Sequence, residues 1–157
     1  TRMNTIWAPW RSEYIVATKP EGCIFCAAHK EGDKLLITEG QTCLAIMNRF
    51  PYTSGHCMIA PIRHIGDVTA LSAEESAEMD HLMKALVTAI GKIMNPDGFN
   101  IGLNIGAAAG AGIEDHLHLH IVPRWSGDTN FLPVLGEVRL VSQHLETTLA
   151  RIKEALA

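Results

Sequence analysis

Hydrophobic and polar positions along this chain follow two periods, and the change from one to the other marks out its elements. Between residues 72 and 94, Met79, Leu82, Met83, Leu86, Ile90, Ile93 and Met94 recur at helical spacing, which predicts one long amphipathic helix. Ser72 and Glu75 supply the capping box that starts it, and Asn95-Pro96-Asp97-Gly98 stops it. A second helical stripe, Leu145, Leu149, Ile152 and Leu156, runs through residues 141–157. Strand-like runs occupy residues 35–38 and 42–47, which read as a hairpin across Glu39-Gly40-Gln41, and then residues 56–60, 99–105 and 116–122. Pro9 marks a short helix over residues 8–17, and residues 20–34 read as loop. The strands cluster without regular βαβ alternation. An α+β fold is therefore expected: a mainly antiparallel sheet of about five strands, one long helix and a C-terminal helix. No G-x-G-x-x-G follows a strand, which argues against a dinucleotide-binding sheet.

Composition narrows the class. A chain of 157 residues, 47% hydrophobic and 19% charged, fits a single domain over residues 1–157 and is too apolar for disorder. A net charge of −4 offers no basic face for non-specific nucleic-acid binding. Apolar runs are too short to span a membrane, and TRMNTIWAPWRSEY holds no signal-like core, so a cytoplasmic protein is expected. In a reducing compartment the Cys23-x-x-Cys26 spacing points to metal or redox chemistry before a disulfide, with ordinary loop thiols as the plain alternative. Cys43 and Cys57 fall in strands and read as small core residues.

The candidate chemistry lies in His116-Leu117-His118-Leu119-His120-Ile121-Val122. On a strand, side chains alternate, so three imidazoles would share one face and Leu117, Leu119 and Ile121 the other. A solvated polar face, a catalytic zinc site and a catalytic imidazole all fit that pattern. The preceding Gly106–Gly112 stretch, GAAAGAG, favours the last. There the backbone N–H groups of Gly110, Ala111 and Gly112 can approach an anion with no side chain in the way. An imidazole row beside such a loop suits attack on phosphorus.

These residues resemble the histidine-triad motif of the HIT superfamily of nucleotide hydrolases and transferases. Asn48 to Ala60 (NRFPYTSGHCMIA) is similar to that family's nucleotide-binding strand pair, and Pro123-Arg124-Trp125 to the Pro-Arg that follows the motif in its fragile-histidine-triad branch. WAPWRSEY, FNIGLNIG and PRWSGDTNF extend the similarity to bacterial members, from about Ile6 to Phe131. The resemblance implies a HIT-like fold and a homodimer. It also implies an enzyme acting on a dinucleoside polyphosphate such as diadenosine tetraphosphate, with water or phosphate as acceptor. His118 would be the nucleophile and form a covalent nucleotidyl-imidazole, with a backbone carbonyl near the first histidine holding its Nδ1 proton. His120 would contact phosphate oxygens, with His116 and His56 completing the cluster. Asn48 matches the ribose-contacting position, although a turn residue is the plain reading, and Asn104 could face the phosphates. One departure stands out: Ala111, Gly112 and Ile113 occupy the place of the Gly-Gln-Ser/Thr found in the two best-known branches.

Some bacterial members carry a C-x-x-C upstream, and the matching residues here are Cys23, Cys26, His64 and His116. Two thiolates and two imidazoles would close a structural zinc site; no organic cofactor is implied. A purine nucleoside phosphoramidase and a non-catalytic nucleotide-binding module are the rival readings.

Overall fold

The computed structural model describes residues 22–128 and 143–157. Five strands form one sheet: β1 (Leu36–Glu39), β2 (Cys43–Met47), β3 (Cys57–Pro61), β4 (Gly98–Leu103) and β5 (Leu119–Arg124). Their order is β1-β2-β3-β5-β4, and each neighbouring pair is antiparallel. Among the described residues three α-helices accompany them: α1 (Ile24–Glu31), α2 (Ala73–Met94) and α3 (Leu145–Leu156). The expected α+β architecture is thus present. Residues 8–17, where a helix was expected, lie outside the described residues, as do the first two of 141–157.

The long helix forms where the apolar period places it. Ser72 Oγ accepts the Glu75 N–H at 3.1 Å, and the Glu75 carboxylate accepts the Ser72 N–H at 2.8 Å, so both halves of the capping box are made. At the other end Asn95 turns left-handed (φ 47°) and caps the helix. The face bearing Met79, Leu82, Leu86 and Ile90 is buried against β2 and β3, and α3 packs across α2 through Leu149 and Ile152. Each such side chain contributes about 1.5–3 kcal/mol by burial, well above any difference in helix propensity. Cys43 and Cys57 are fully buried in this core.

Two expectations need correction. Residues 23–31 are not loop: Ile24–Glu31 is a helix that buries Phe25 and Ala28, three residues apart on one face, and ends at Gly32 with φ 77°. Its eight residues are too few for a clear period, and tertiary packing stabilises it. The histidine segment is only partly strand. The β5 ladder begins at Leu119, because the backbone before it bonds elsewhere: the His116 carbonyl accepts from the His118 ring, and the Leu117 N–H donates to Ile65. The remaining strand edges differ by a residue or two from the sequence pattern, as ladder ends commonly do.

One carboxylate fastens the β1–β2 hairpin to α2. Glu78 accepts hydrogen bonds from the Gln41, Thr42 and Cys43 N–H groups and from Thr42 Oγ1 at 2.6 Å. A Cβ at Gly40 would lie 2.2 Å from Glu78 Oε1, so glycine is what lets the carboxylate reach the turn. Burial works against the charged form. The four donors outweigh it and bring the Glu78 pKa down to about 2. A carboxyl held below its ordinary value stabilises the fold above the ordinary carboxylate range, and that contribution fades as pH falls toward 2. Glu78→Gln should therefore lower the melting temperature at neutral pH, and the gap to wild type should narrow between pH about 4.5 and about 2. Thermal melts of the two proteins across that range check it.

Candidate functional site

Four ligand-type side chains converge from three places in the chain. Cys23 is the N-cap of α1 and Cys26 lies in its first turn; His64 follows β3, and His116 precedes β5. Their ligand atoms all lie within 4.8 Å of one another. Nδ1 of His116 stands 3.0 Å from Cys23 Sγ, 3.6 Å from Cys26 Sγ and 3.1 Å from Nδ1 of His64, and Cys26 Sγ is 3.2 Å from Nδ1 of His64. A tetrahedral S2N2 zinc site, with bonds of about 2.0–2.3 Å, has edges of about 3.3–3.8 Å, close to this spacing. The His116 tautomer agrees. Its Nε2–H donates to the Pro61 carbonyl at 2.8 Å, which leaves the Nδ1 lone pair facing the two thiols. The donor set therefore fits a closed structural zinc site.

His116 is joined to the second part of the site through its backbone. His118 Nδ1–H donates to the His116 carbonyl at 2.8 Å, so the Nε2 of His118 carries the lone pair. The next ring has the opposite polarity. The Tyr52 N–H donates to His56 Nδ1 at 3.1 Å, which puts the His56 proton on Nε2. That proton is donated to His120 Nδ1 at 2.9 Å, so His120 carries its own proton on Nε2. The rings of His118 and His120 lie 4.8 Å apart. Neighbouring rings thus carry a lone pair on one Nε2 and an N–H on the other. Burial pushes both imidazoles below the usual histidine pKa, His120 to about 4 with help from His118, and at neutral pH both are uncharged.

The register explains this arrangement. Met58 lies opposite His120 across β3 and β5, so His56 is the diagonal neighbour of His120. The β4–β5 register ends at Leu103 and Leu119, so Asn104, which follows β4, and His118, which precedes β5, lie at the same end of that strand pair. Asn48 Oδ1 accepts the Phe50 N–H at 2.9 Å, the turn role open to that residue, while its Nδ2 lies 3.4 Å from the His56 ring nitrogens. In the Gly/Ala loop the N–H groups of Gly110 and Ala111 close turns onto Ala107 and Gly106, so these two donors are used within the loop; Gly112 follows it, exposed.

Several contributors carry no signal in sequence. Phe25 packs 5.0 Å from the rings of both His116 and His118 and bridges the two halves of the site. Tyr52 stacks on His120 at 6.0 Å and 19°. The Pro61 carbonyl and the Tyr52 N–H are backbone groups, invisible to side-chain pattern.

A family model described as HIT domain matches residues 29–127. The chain belongs to the HIT domain family. An AP-4-A phosphorylase of Mycobacterium tuberculosis is 32% identical over 160 residues, which cover 94% of this chain and 81% of that protein. An adenylylsulfatase of Arabidopsis thaliana is 34% identical over 113 residues, 71% of this chain and 57% of that one. Among solved structures, a Zn-bound histidine triad family protein from Mycobacterium smegmatis superposes with a TM-score of 0.70 at 31% identity, covering 85% of this chain and 92% of its own. No described helix of this HIT chain is long and apolar enough to cross a membrane.

The four thiols should separate chemically. Cys23 and Cys26 are partly exposed, whereas burial pushes Cys43 up to about 11 and Cys57 to about 12. Treated with chelator, the native protein should lose two thiols to a thiol-specific alkylating reagent at pH 8, and all four should react in denaturant. Mass spectrometry of the alkylated peptides identifies which pair reacted.

Proposed function

We propose that this chain is a HIT-type enzyme that cleaves dinucleoside polyphosphates through a nucleotidyl intermediate on His118. The observation that carries the reading is the opposed polarity of neighbouring rings, a lone pair on His118 Nε2 and an N–H on His120 Nε2. The His118 lone pair attacks the α-phosphorus of a bound dinucleotide. The P–N bond forms, and the P–O bond to the remaining polyphosphate breaks, its electron pair leaving with that oxygen. The ring then carries a positive charge, and its Nδ1–H remains bonded to the His116 carbonyl. His120 donates its Nε2–H to a phosphate oxygen as charge builds there. In the second half-reaction an acceptor oxygen attacks the same phosphorus, the P–N electrons return to Nε2, and His118 is neutral again. Phosphate as acceptor gives a nucleoside diphosphate; water gives the monophosphate.

The rest of the site takes supporting roles. Asn48 would offer its Nδ2 to ribose hydroxyls beside His56, and Asn104, at the same end of β4 and β5 as His118, would face the phosphates. Cys23, Cys26, His64 and His116 would hold zinc, whose role with two thiolates and two imidazoles would be structural, restraining the His116 ring. The reading includes a two-fold dimer along β4, an edge among the described strands that leaves Ile101 exposed.

Incubation with diadenosine tetraphosphate, with and without phosphate, tests the proposal. Chromatography should show ATP with ADP when phosphate is the acceptor and ATP with AMP when water is. His118→Asn should keep fold and nucleotide binding while turnover drops by about a thousandfold or more. Undiminished turnover in that variant, or binding without turnover in wild type, would overturn the mechanism.

A further inference from the structure

The two imidazoles of the metal cluster meet because two stretches of backbone, residues 61–66 and 114–117, run against each other. The Leu117 N–H donates to the Ile65 carbonyl at 2.6 Å, and His116 Nε2–H donates to Pro61 at 2.8 Å. Gly66 directly follows the Ile65 bond. A Cβ there would stand 2.6 Å from the Glu114 carbonyl oxygen, 3.0 Å from Asp115 Cα and 3.2 Å from Asp115 carbonyl carbon. All three are backbone atoms, and backbone cannot swing aside as the end of a long side chain can. The missing side chain is what permits this approach. His64 lies two residues before Gly66, and His116 directly follows Asp115. Their rings meet edge-on at 4.9 Å. On its far side, His64 Nε2 is 3.6 Å from Asp115 Oδ2, so with Nδ1 turned to the cluster its N–H faces a carboxylate.

Displacement at Glu114–Asp115 passes directly to His116, whose ring faces the thiols and whose carbonyl holds the His118 proton. We infer that Gly66 and Asp115 are positioning residues: the close passage of these two segments sets the place of His116, and through it both the Cys2His2 geometry and the aim of His118. The inference rests on the zinc and nucleophile roles proposed above. Neither residue touches substrate. Gly66 acts by leaving room, and Asp115 acts by orienting the His64 ring.

The test uses the full chain, stripped of metal and titrated with cobalt(II) and with zinc against a chromophoric chelator. Wild type should give the visible spectrum of a tetrahedral S2N2 cobalt site. In Gly66→Ala that spectrum should weaken or shift, zinc affinity should fall by about ten- to a hundredfold, and kcat should drop with KM little changed. A general loss of stability would lower the melting temperature and leave the spectrum of the folded fraction as it was. Asp115→Asn alters no backbone contact; it should fold normally and lose zinc affinity by about three- to tenfold. If Gly66→Ala does not fold, Asp115→Asn decides, and unchanged affinity there overturns the inference. Wild-type spectrum and affinity in Gly66→Ala overturn it as well. The underlying metal reading fails in a different way: wild type itself would show no tetrahedral cobalt spectrum.

Discussion

The carbonyl oxygen of His116 accepts the Nδ1 proton of His118, and the orientation of the site follows from that bond. A neutral imidazole exposes one lone pair, and the partner of its other nitrogen decides which. A backbone acceptor in the same turn of chain keeps the proton on Nδ1 and leaves Nε2 as a base and nucleophile. The carbonyl can hold that proton only if residue 116 itself is fixed. Its ring is held at both nitrogens, by the Pro61 carbonyl at Nε2 and by the two thiols at Nδ1. The Cys2His2 cluster and the ring proposed as nucleophile thus share one residue, the ring serving the first and the backbone the second.

The fold brings its parts to this residue by ordinary packing. The sheet aligns β3 with β5, which sets His56 diagonally from His120. The N-terminus of α2 is tied to the segment after β3 through Glu75, whose carboxylate accepts from Arg63 at 2.8 and 3.0 Å while it completes the capping box. That segment carries His64. Phe25, a fully buried residue of α1, packs against the rings of both His116 and His118 and so joins the two parts of the site. Burial is also what keeps His118 and His120 uncharged at neutral pH, since a low-dielectric pocket disfavours the imidazolium.

Much of this was legible in the residues themselves. Met79, Leu82, Leu86 and Ile90 announced α2, and its capping box formed as written, because a long period and a local cap leave little room for tertiary context to intervene. The alternation through residues 116–122 rightly set the imidazoles apart from Leu117 and Ile121, yet it overstated the strand. Side-chain and loop partners had taken the backbone groups of His116 and Leu117 before the ladder began. Helix α1 was not legible because its eight residues, IFCAAHKE, put their apolar positions in one short run that shows no period. For His118 the family resemblance already implied a proton on Nδ1 held by a backbone carbonyl; for the other rings, which nitrogen carries the proton was beyond any sequence pattern. It depends on the Pro61 carbonyl and the Tyr52 N–H, and every residue type supplies such groups.

Opposed tautomers on adjacent histidines are the central claim, and ring-nitrogen NMR of histidine-labelled protein reads them directly. At pH 7 the account predicts two neutral rings of opposite kind, His118 protonated at Nδ1 and His120 at Nε2, assigned by single substitution of each. A His118 ring protonated at Nε2, or present as imidazolium at that pH, would contradict it.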